Sequence, residues 1–108
     1  MNSSRFHLQI TWPNGNVERR PLPADEVTIG RVEGNSLVLP DVTVSRRHAK
    51  LTFLAEEIVL EDVASTSGTS VNRARVSRAV VWPGDVIRIG QLDLTIVKRE
   101  EPDEASAS

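Results

Sequence analysis

Cysteine is absent from the 108-residue chain. The protein therefore cannot use a disulfide scaffold, a catalytic thiolate or a cysteine-ligated zinc ion. No apolar run approaches the ~20 residues that a membrane-spanning helix requires, and no signal-peptide pattern is visible at the N-terminus. We therefore expect a soluble, cytoplasmic protein that has no membrane partner.

The chain also lacks a surplus of positive charge. Its 13 basic and 15 acidic residues give a formal net charge of −2. A dedicated nucleic-acid-binding domain normally carries a basic surplus against the phosphate backbone, so we expect no nucleic-acid partner. The acidic residues are scattered along loops and no glycine-rich nucleotide-binding loop is present. We therefore expect no metal site and no other cofactor.

What the chain contains is a succession of short segments that alternate or are rich in β-branched residues. No segment shows a convincing helical period. About ten or eleven strands at spacings of about 8–12 residues are typical of an all-β sandwich or barrel. The predicted strands are Phe6–Ile10, Val17–Leu22, Glu26–Ile29, Leu37–Leu39, His48–Leu54, Ile58–Leu60, Val71–Asn72, Val76–Trp82, Val86–Ile89 and Leu92–Val97.

The ends of the chain and one turn carry further signals. Residues 1–5 are polar and are predicted to be a disordered N-terminus, and residues 6–98 form the predicted domain. Residues 99–108 contain four acids and no apolar anchor, so they are predicted to be a disordered tail or a linker stub. Asn14-Gly15 predicts a tight hairpin turn, because both residue types tolerate a positive φ.

Three loops are rich in glycine and polar residues, and loops of this kind carry function on rigid scaffolds. The first contains Gly30-Arg31 after a strand, and the second ends in Ser45-Arg46-Arg47-His48. The third, Asp62 to Ser70, places five hydroxyl groups between two hydrophobic anchors. Function should be sought in these loops.

In this order and spacing, the three motifs resemble the forkhead-associated (FHA) domain family. Pro83-Gly84-Asp85 and the strand after it are also similar to a turn of that family. The resemblance spans about residues 6–98 and implies a two-sheet β-sandwich of mostly antiparallel strands, with binding loops at one end. It also implies a non-catalytic module that binds phosphothreonine in a partner protein and serves kinase-dependent signalling or assembly. The partner would be a substrate of a Ser/Thr kinase or the kinase itself.

The resemblance assigns roles to individual residues. It implies that Arg31 holds the phosphate, that the Ser45 hydroxyl donates to a second oxygen and that Arg46 also contacts it. A guanidinium group suits phosphate because it can donate two parallel hydrogen bonds. Thr66 and Ser67 would hold the peptide backbone, and here the chain departs from the family, which has asparagine at the second position. Serine is shorter and lacks the amide, so we expect binding that survives but is weaker.

Other residues are expected to shape the site or set its preference. The resemblance places Thr43 beside the third residue after the phosphothreonine. It makes His48 architectural. We expect Gly30 and Gly68 to provide turn geometry, and Asn72, like Asp62, to brace its loop through local hydrogen bonds to the backbone.

Two other functions compete with this one. The first is a phosphate-independent interaction domain that uses a sheet face or a basic patch formed by Arg73, Arg75 and Arg78. The second is a small hydrolase with Ser45 as nucleophile and His48 as base. The hydrolase lacks an identifiable third residue to orient the base, so we predict that the chain is not an enzyme.

Overall fold

Two β-sheets, built from eleven strands, contain almost all of the regular structure in the computed structural model, which describes residues 2–99. The strands are β1 (Phe6–Thr11), β2 (Val17–Pro21), β3 (Glu26–Gly30), β4 (Leu37–Val38), β5 (Ala49–Phe53), β6 (Ile58–Asp62), β7 (Thr69–Val71), β8 (Ala74–Arg75), β9 (Arg78–Val81), β10 (Val86–Ile89) and β11 (Leu92–Lys98). Their number and the predicted all-β class are confirmed.

The strands divide into a six-stranded sheet with the order β2-β1-β11-β10-β7-β8 and a five-stranded sheet with the order β4-β3-β5-β6-β9. Every strand pair is antiparallel except β3 with β4, which pair in parallel. The predicted two-sheet, mostly antiparallel sandwich is therefore confirmed.

Alternation along the strands builds the core. In β1 and β11 every second side chain is buried, so Leu8, Ile10 and Leu94 are fully enclosed. They meet inward-facing side chains of the five-stranded sheet, such as Ile29 and Leu51, in one hydrophobic cluster. Burial of such side chains contributes roughly 1.5–3 kcal/mol each. The same cluster includes Leu39 and Val44 from the β4–β5 loop, so this loop is anchored to the core between the sheets.

The N-terminal residues differ from the prediction of disorder. Ser3–Arg5 form a short 3₁₀ helix. Ser3 is buried, and its backbone N–H donates to the Asp25 carboxylate at 3.0 Å. Arg99 continues from β11, and its backbone N–H donates to the Arg5 carbonyl at 2.8 Å. The predicted disorder of Met1 and of residues 100–108 lies outside the described residues.

At two turns the backbone differs from what the sequence predicts. At the β1–β2 hairpin only Gly15 has a positive φ, of 90°. Pro13 and Asn14 are the central residues of a turn that is closed by the Gly15 N–H donating to the Trp12 carbonyl at 2.9 Å, and Asn14 stays outside the left-handed region. The tight two-residue turn instead joins β7 to β8, where Asn72 and Arg73 have φ values of 48° and 73°. Asn72 was predicted as strand, and this assignment is wrong.

The predicted strand Val76–Trp82 is also wrong in part, because the chain crosses between the sheets there. Arg75 ends β8 in the six-stranded sheet, whereas Arg78 begins β9 in the five-stranded sheet. At the crossing, Val76 N–H donates to the Thr69 carbonyl, and the Ser77 carbonyl accepts from Asp62 N–H. Arg73, Arg75 and Arg78 therefore do not form the single basic patch that their sequence spacing predicts.

No helix within residues 2–99 has the length and apolar character needed to cross a membrane.

The positive φ of Arg73 leads to a stability prediction. We expect Arg73→Gly to raise the free energy of unfolding by about 1 kcal/mol, since the left-handed conformation costs an L-residue roughly 1–2 kcal/mol and glycine avoids it. Urea denaturation measures the change. Asn14→Gly is the matched control, because Asn14 lies in a turn without a positive φ and glycine there should bring no gain. Equal losses of stability in both variants would contradict the prediction.

Candidate functional site

His48 is a buried ring at the centre of the loop end. It is 0% exposed, its Nδ1 accepts from the Ser45 backbone N–H at 3.0 Å, and its Nε2 faces the Gly68 carbonyl at 2.8 Å. Because Nδ1 is an acceptor, the ring carries its proton on Nε2 and donates it to Gly68. The ring thus ties the β4–β5 loop to the β6–β7 loop.

The position of His48 also bears on the Ser-His hydrolase hypothesis. Its ring contacts the backbone of Ser45 and not the side chain. The Ser45 hydroxyl instead accepts from the Thr66 backbone N–H at 2.9 Å. Both ring nitrogens are engaged with backbone groups, so this geometry provides no base for the serine.

The hydrogen bond from Thr66 decides what the Ser45 hydroxyl can do. Because the oxygen accepts from a backbone N–H, its own proton remains available for a ligand. Ser45 is half-buried at the rim of the loops. The structure therefore presents Ser45 as a hydrogen-bond donor in a held orientation.

Arg31 is anchored next to Ser45 by two hydrogen bonds. Its backbone N–H donates to the Ser45 carbonyl at 3.0 Å, and its Nε donates to the Val44 carbonyl at 3.0 Å. Within residues 2–99 its two terminal nitrogens have no hydrogen-bond or ion-pair partner. The guanidinium group is therefore held in place while its bidentate edge stays free.

Gly30 permits this arrangement for a reason other than the predicted turn geometry. Its φ is not positive, but a Cβ there would lie 2.1 Å from the Arg46 carbonyl oxygen and 2.6 Å from Nδ2 of Asn35. Asn35 Nδ2 in turn donates to that carbonyl at 2.9 Å. Glycine is thus required by close backbone approach, which seats Arg46 against the start of the β3–β4 loop. Asn35 was not among the predicted site residues.

Three arginines at this end lack acidic partners. Arg31, Arg46 and Arg47 are exposed, and the ion pairs of residues 2–99 involve other cations: Arg20, Lys50 and Arg88. An uncompensated cluster of cations creates a local positive potential even in a chain with a net negative charge. The loop end is therefore electrostatically suited to an anion.

Thr66 and Ser67, the predicted peptide contacts, stand beside this cluster. Both are exposed, but the Ser67 hydroxyl donates to the Thr43 carbonyl at 2.9 Å. Ser67 therefore connects the β6–β7 loop to the β4–β5 loop and retains only acceptor capacity for a ligand.

Thr43 is placed at the same end, yet its hydroxyl is largely occupied. It donates to the Asp41 carboxylate at 2.5 Å and accepts from the Gln91 backbone N–H at 2.9 Å. The β10–β11 turn is thereby attached to the β4–β5 loop. Thr43 can offer a ligand mainly its methyl group.

Asn72 lies outside the cluster that contains Arg31, Ser45 and His48. Its side-chain oxygen accepts from Val86 N–H at 3.0 Å and its amide donates to Asp85 at 3.1 Å. It connects the β7–β8 turn to the β9–β10 turn, so its predicted role in bracing its own loop locally is wrong.

Gly68, by contrast, sits within the site. It has a φ of 89°, as the predicted turn role requires, and it accepts the His48 bond.

The Asp62 carboxylate, at the end of β6, stabilises the β6–β7 loop by accepting three hydrogen bonds. It accepts from the backbone N–H of Ser65 at 2.9 Å, from the Ser65 hydroxyl at 2.5 Å and from the Thr69 hydroxyl at 2.7 Å. Burial raises the pKa of this carboxyl, but the hydrogen bonds from Ser65 and Thr69 outweigh burial and hold the pKa below its ordinary value. The predicted bracing by Asp62 matches this geometry.

The lowered pKa of Asp62 predicts an acid-dependent loss of stability. The ordinary value is 3.8, so the contribution of the ionised carboxyl is fully present above that pH and is lost as the pH falls through the lower folded-state pKa. We expect the free energy of unfolding to fall with pH below about 4, and to fall less steeply in Asp62→Asn, which cannot titrate. Urea denaturation at a series of pH values measures both slopes. Identical slopes would contradict the prediction.

Comparison with known proteins places this geometry in a family. A model of the FHA domain matches residues 27–90. The chain is 42% identical over 85 residues to the ABC transporter ATP-binding/permease protein Rv1747 of Mycobacterium tuberculosis, covering 74% of this chain and 10% of that protein. It is 43% identical over 74 residues to the FHA domain-containing protein FhaB of the same organism, covering 68% of this chain and 48% of that protein. The chain thus spans at most about half the length of these two relatives.

A solved structure agrees over nearly the whole fold. It comes from a structural and functional analysis of phosphothreonine-dependent FHA domain interactions, and it matches with a TM-score of 0.75 and 31% identity over 94% of this chain and 100% of that chain. Because the family model covers more than half of the residues, and the arginine, serine and histidine of its motifs meet at one end of the sandwich, the chain belongs to the FHA domain family.

Proposed function

We propose that the loop end binds a phosphothreonine-containing segment of a partner protein. The observation that carries this proposal is the pairing of two prepared donors, the free proton of Ser45 and the free edge of Arg31. Both are held by backbone hydrogen bonds and lie on adjacent loops joined by the Arg31–Ser45 bond of 3.0 Å.

The charge of the ligand fits the cations of the site. A phosphothreonine carries a charge of roughly −1.5 to −2 at neutral pH. Arg31 and Arg46 together supply two positive charges, and neither forms an ion pair within residues 2–99. Each charge-assisted hydrogen bond contributes about 1.5–3 kcal/mol. Micromolar affinity requires about 8 kcal/mol, so contacts to the peptide backbone must supply the remainder.

Thr66 and Ser67 are placed to make those backbone contacts. The exposed Thr66 hydroxyl has no partner within residues 2–99. Ser67 offers an acceptor only, because its proton is donated to Thr43. Compared with asparagine, it cannot donate to a peptide carbonyl while it keeps that bond, which supports the expectation of weaker binding.

This function is one of recognition and not of catalysis. Phosphate contact through Arg31, Ser45 and Arg46 needs no metal or other cofactor. The partner would be a protein phosphorylated by a Ser/Thr kinase, or the kinase itself, inside the cell. The FHA domain interactions studied with the matched solved structure depend on phosphothreonine, which supports the same ligand here.

Removing the Arg31 side chain tests the proposal. We expect Arg31→Ala to weaken binding of a phosphothreonine peptide by about 100-fold or more, because two charge-assisted hydrogen bonds are lost, while the unfolding midpoint changes little. Isothermal titration calorimetry measures the affinity, with the unphosphorylated peptide expected to show none.

The control for this experiment is Arg19→Ala. Arg19 is also exposed, but it lies on β2 and its Nε donates only to Gln9. Equal affinities of the two variants, or binding of the unphosphorylated peptide by the wild type, would refute the proposal.

Replacing Ser67 with asparagine tests the proposed contact between this position and the peptide backbone. Asparagine has two amide protons, so one can donate to the Thr43 carbonyl and the other to the peptide. We expect Ser67→Asn to bind the same phosphopeptide about 2- to 10-fold more tightly, the effect of one added hydrogen bond. Ser67→Ala serves as the control and should bind no better than the wild type. Weaker binding by Ser67→Asn would show that the Ser67–Thr43 bond matters more than the amide.

A further inference from the structure

A second basic cavity lies beside the loop end, on the outer side of the six-stranded sheet. It has a volume of about 180 Å³ and is lined in part by Ser67, Ser70, Arg73, Arg75 and Arg88. A neighbouring cavity of about 410 Å³ shares Ser70, Arg73 and Arg88 with it. We call the two cavities together the arginine groove. Arg88 enters it because β10 pairs with β7, which places Arg88 opposite Ser70.

The arginine groove carries an excess of positive charge. Arg88 pairs with Asp93 at 3.2 Å, whereas Arg73 and Arg75 form no ion pair with any residue from 2 to 99. Two of the three guanidinium groups are therefore uncompensated. The hydroxyls of Ser67 and Ser70 add polar groups to the lining, and of these the Ser67 proton is already donated to the Thr43 carbonyl.

Arg73 adopts a backbone conformation that is unfavourable for an L-residue, so placing its positive charge at this turn costs free energy. An arginine with a φ of 73° occupies a position where glycine would be favoured. Such costs persist at functional sites more often than elsewhere. The turn therefore keeps a cation where the backbone alone favours a residue without a side chain.

Arg75 links the groove to the first site. A Cβ on Gly68 would lie 2.9 Å from Cζ of Arg75, so the guanidinium group packs against the Gly68 backbone. Thr66, two residues earlier, contacts the Ser45 hydroxyl at 2.9 Å. At about 3.3 Å per residue, the Arg75 guanidinium lies no more than about 15 Å from the Ser45 oxygen. An extended peptide covers that distance in about five residues or fewer.

From this continuity we propose that the arginine groove binds a second phosphorylated residue of the same peptide, within about five residues of the phosphothreonine. The inference rests on the proposed function. The two uncompensated charges match the charge of roughly −1.5 to −2 on a phosphoryl group, whereas one carboxylate would neutralise only one of them.

The test compares singly and doubly phosphorylated peptides. One peptide carries phosphothreonine alone, and a series carries a second phosphoserine at each position from two to five residues away on either side. A matched series has glutamate in place of the second phosphoserine. We expect one spacing of the doubly phosphorylated series to bind about tenfold more tightly than the singly phosphorylated peptide, with a steeper loss of affinity as salt is added.

Substitutions in the arginine groove test whether the added affinity for the doubly phosphorylated peptide comes from this groove. Arg73→Gln combined with Arg75→Gln keeps much of each aliphatic stem, and should abolish the gain while leaving the affinity for the singly phosphorylated peptide unchanged. Arg78→Gln is the matched control, since Arg78 is exposed but lies on β9 of the other sheet. It should retain the full gain.

Distinct results would overturn the inference. If the singly phosphorylated peptide binds and no second phosphate at any spacing improves the affinity, the groove proposal fails while the proposed function stands. If glutamate gives the same gain as phosphoserine, the groove binds acidic residues in general and the assignment to phosphate is wrong. If no phosphorylated peptide binds at all, both proposals fail together.

Discussion

The buried ring of His48 is the interaction on which the loop end depends. One imidazole accepts from the backbone of Ser45 and donates to the backbone of Gly68, so it spans the β4–β5 and β6–β7 loops. Burial of a polar ring costs free energy unless its nitrogens are hydrogen-bonded, and both bonds of His48 lead to loops that carry proposed ligand contacts. The two hydrogen bonds that satisfy the buried ring also fix the distance between the two loops.

Around this ring, the two donors that carry the proposed function, Arg31 and Ser45, are each held by a backbone group. Thr66 N–H orients the Ser45 hydroxyl, and the Val44 carbonyl orients the Arg31 guanidinium. The same two loops are joined again by Ser67 and Thr43. Groups held before a ligand arrives lose little conformational freedom on binding. Much of the available interaction energy can therefore appear as affinity, even at a site that forms few contacts.

Alternation along the chain predicts an all-β sandwich or barrel. The two-sheet form and the shared site of Arg31, Ser45 and His48 are predicted through the resemblance of three ordered motifs to the FHA domain family. The sequence does not predict why Gly30 is glycine, since the clash with the Arg46 carbonyl depends on how two loops approach each other. Arg75 and Arg78 look like neighbours in sequence but separate where the chain changes sheets. Arg88 joins Arg73 only through the pairing of β10 with β7. Patterns within a segment do not show which distant segments pair, so the contacts that depend on this pairing are not predicted from the sequence.

The bond between Arg99 and Arg5 has an architectural consequence. Both residues adjoin the ends of β1 and β11 that lie farthest from the β10–β11 turn, about 20 Å along a seven-residue strand. The polypeptide thus enters and leaves the sandwich side by side, with the recognition loops facing the other way. Such a module can be grafted onto a larger protein at either end, or inserted within it, without obstructing the loops. Under the proposed function, the reach of the binding loops would then be set by the segment that joins such a module to its host and not by the module itself.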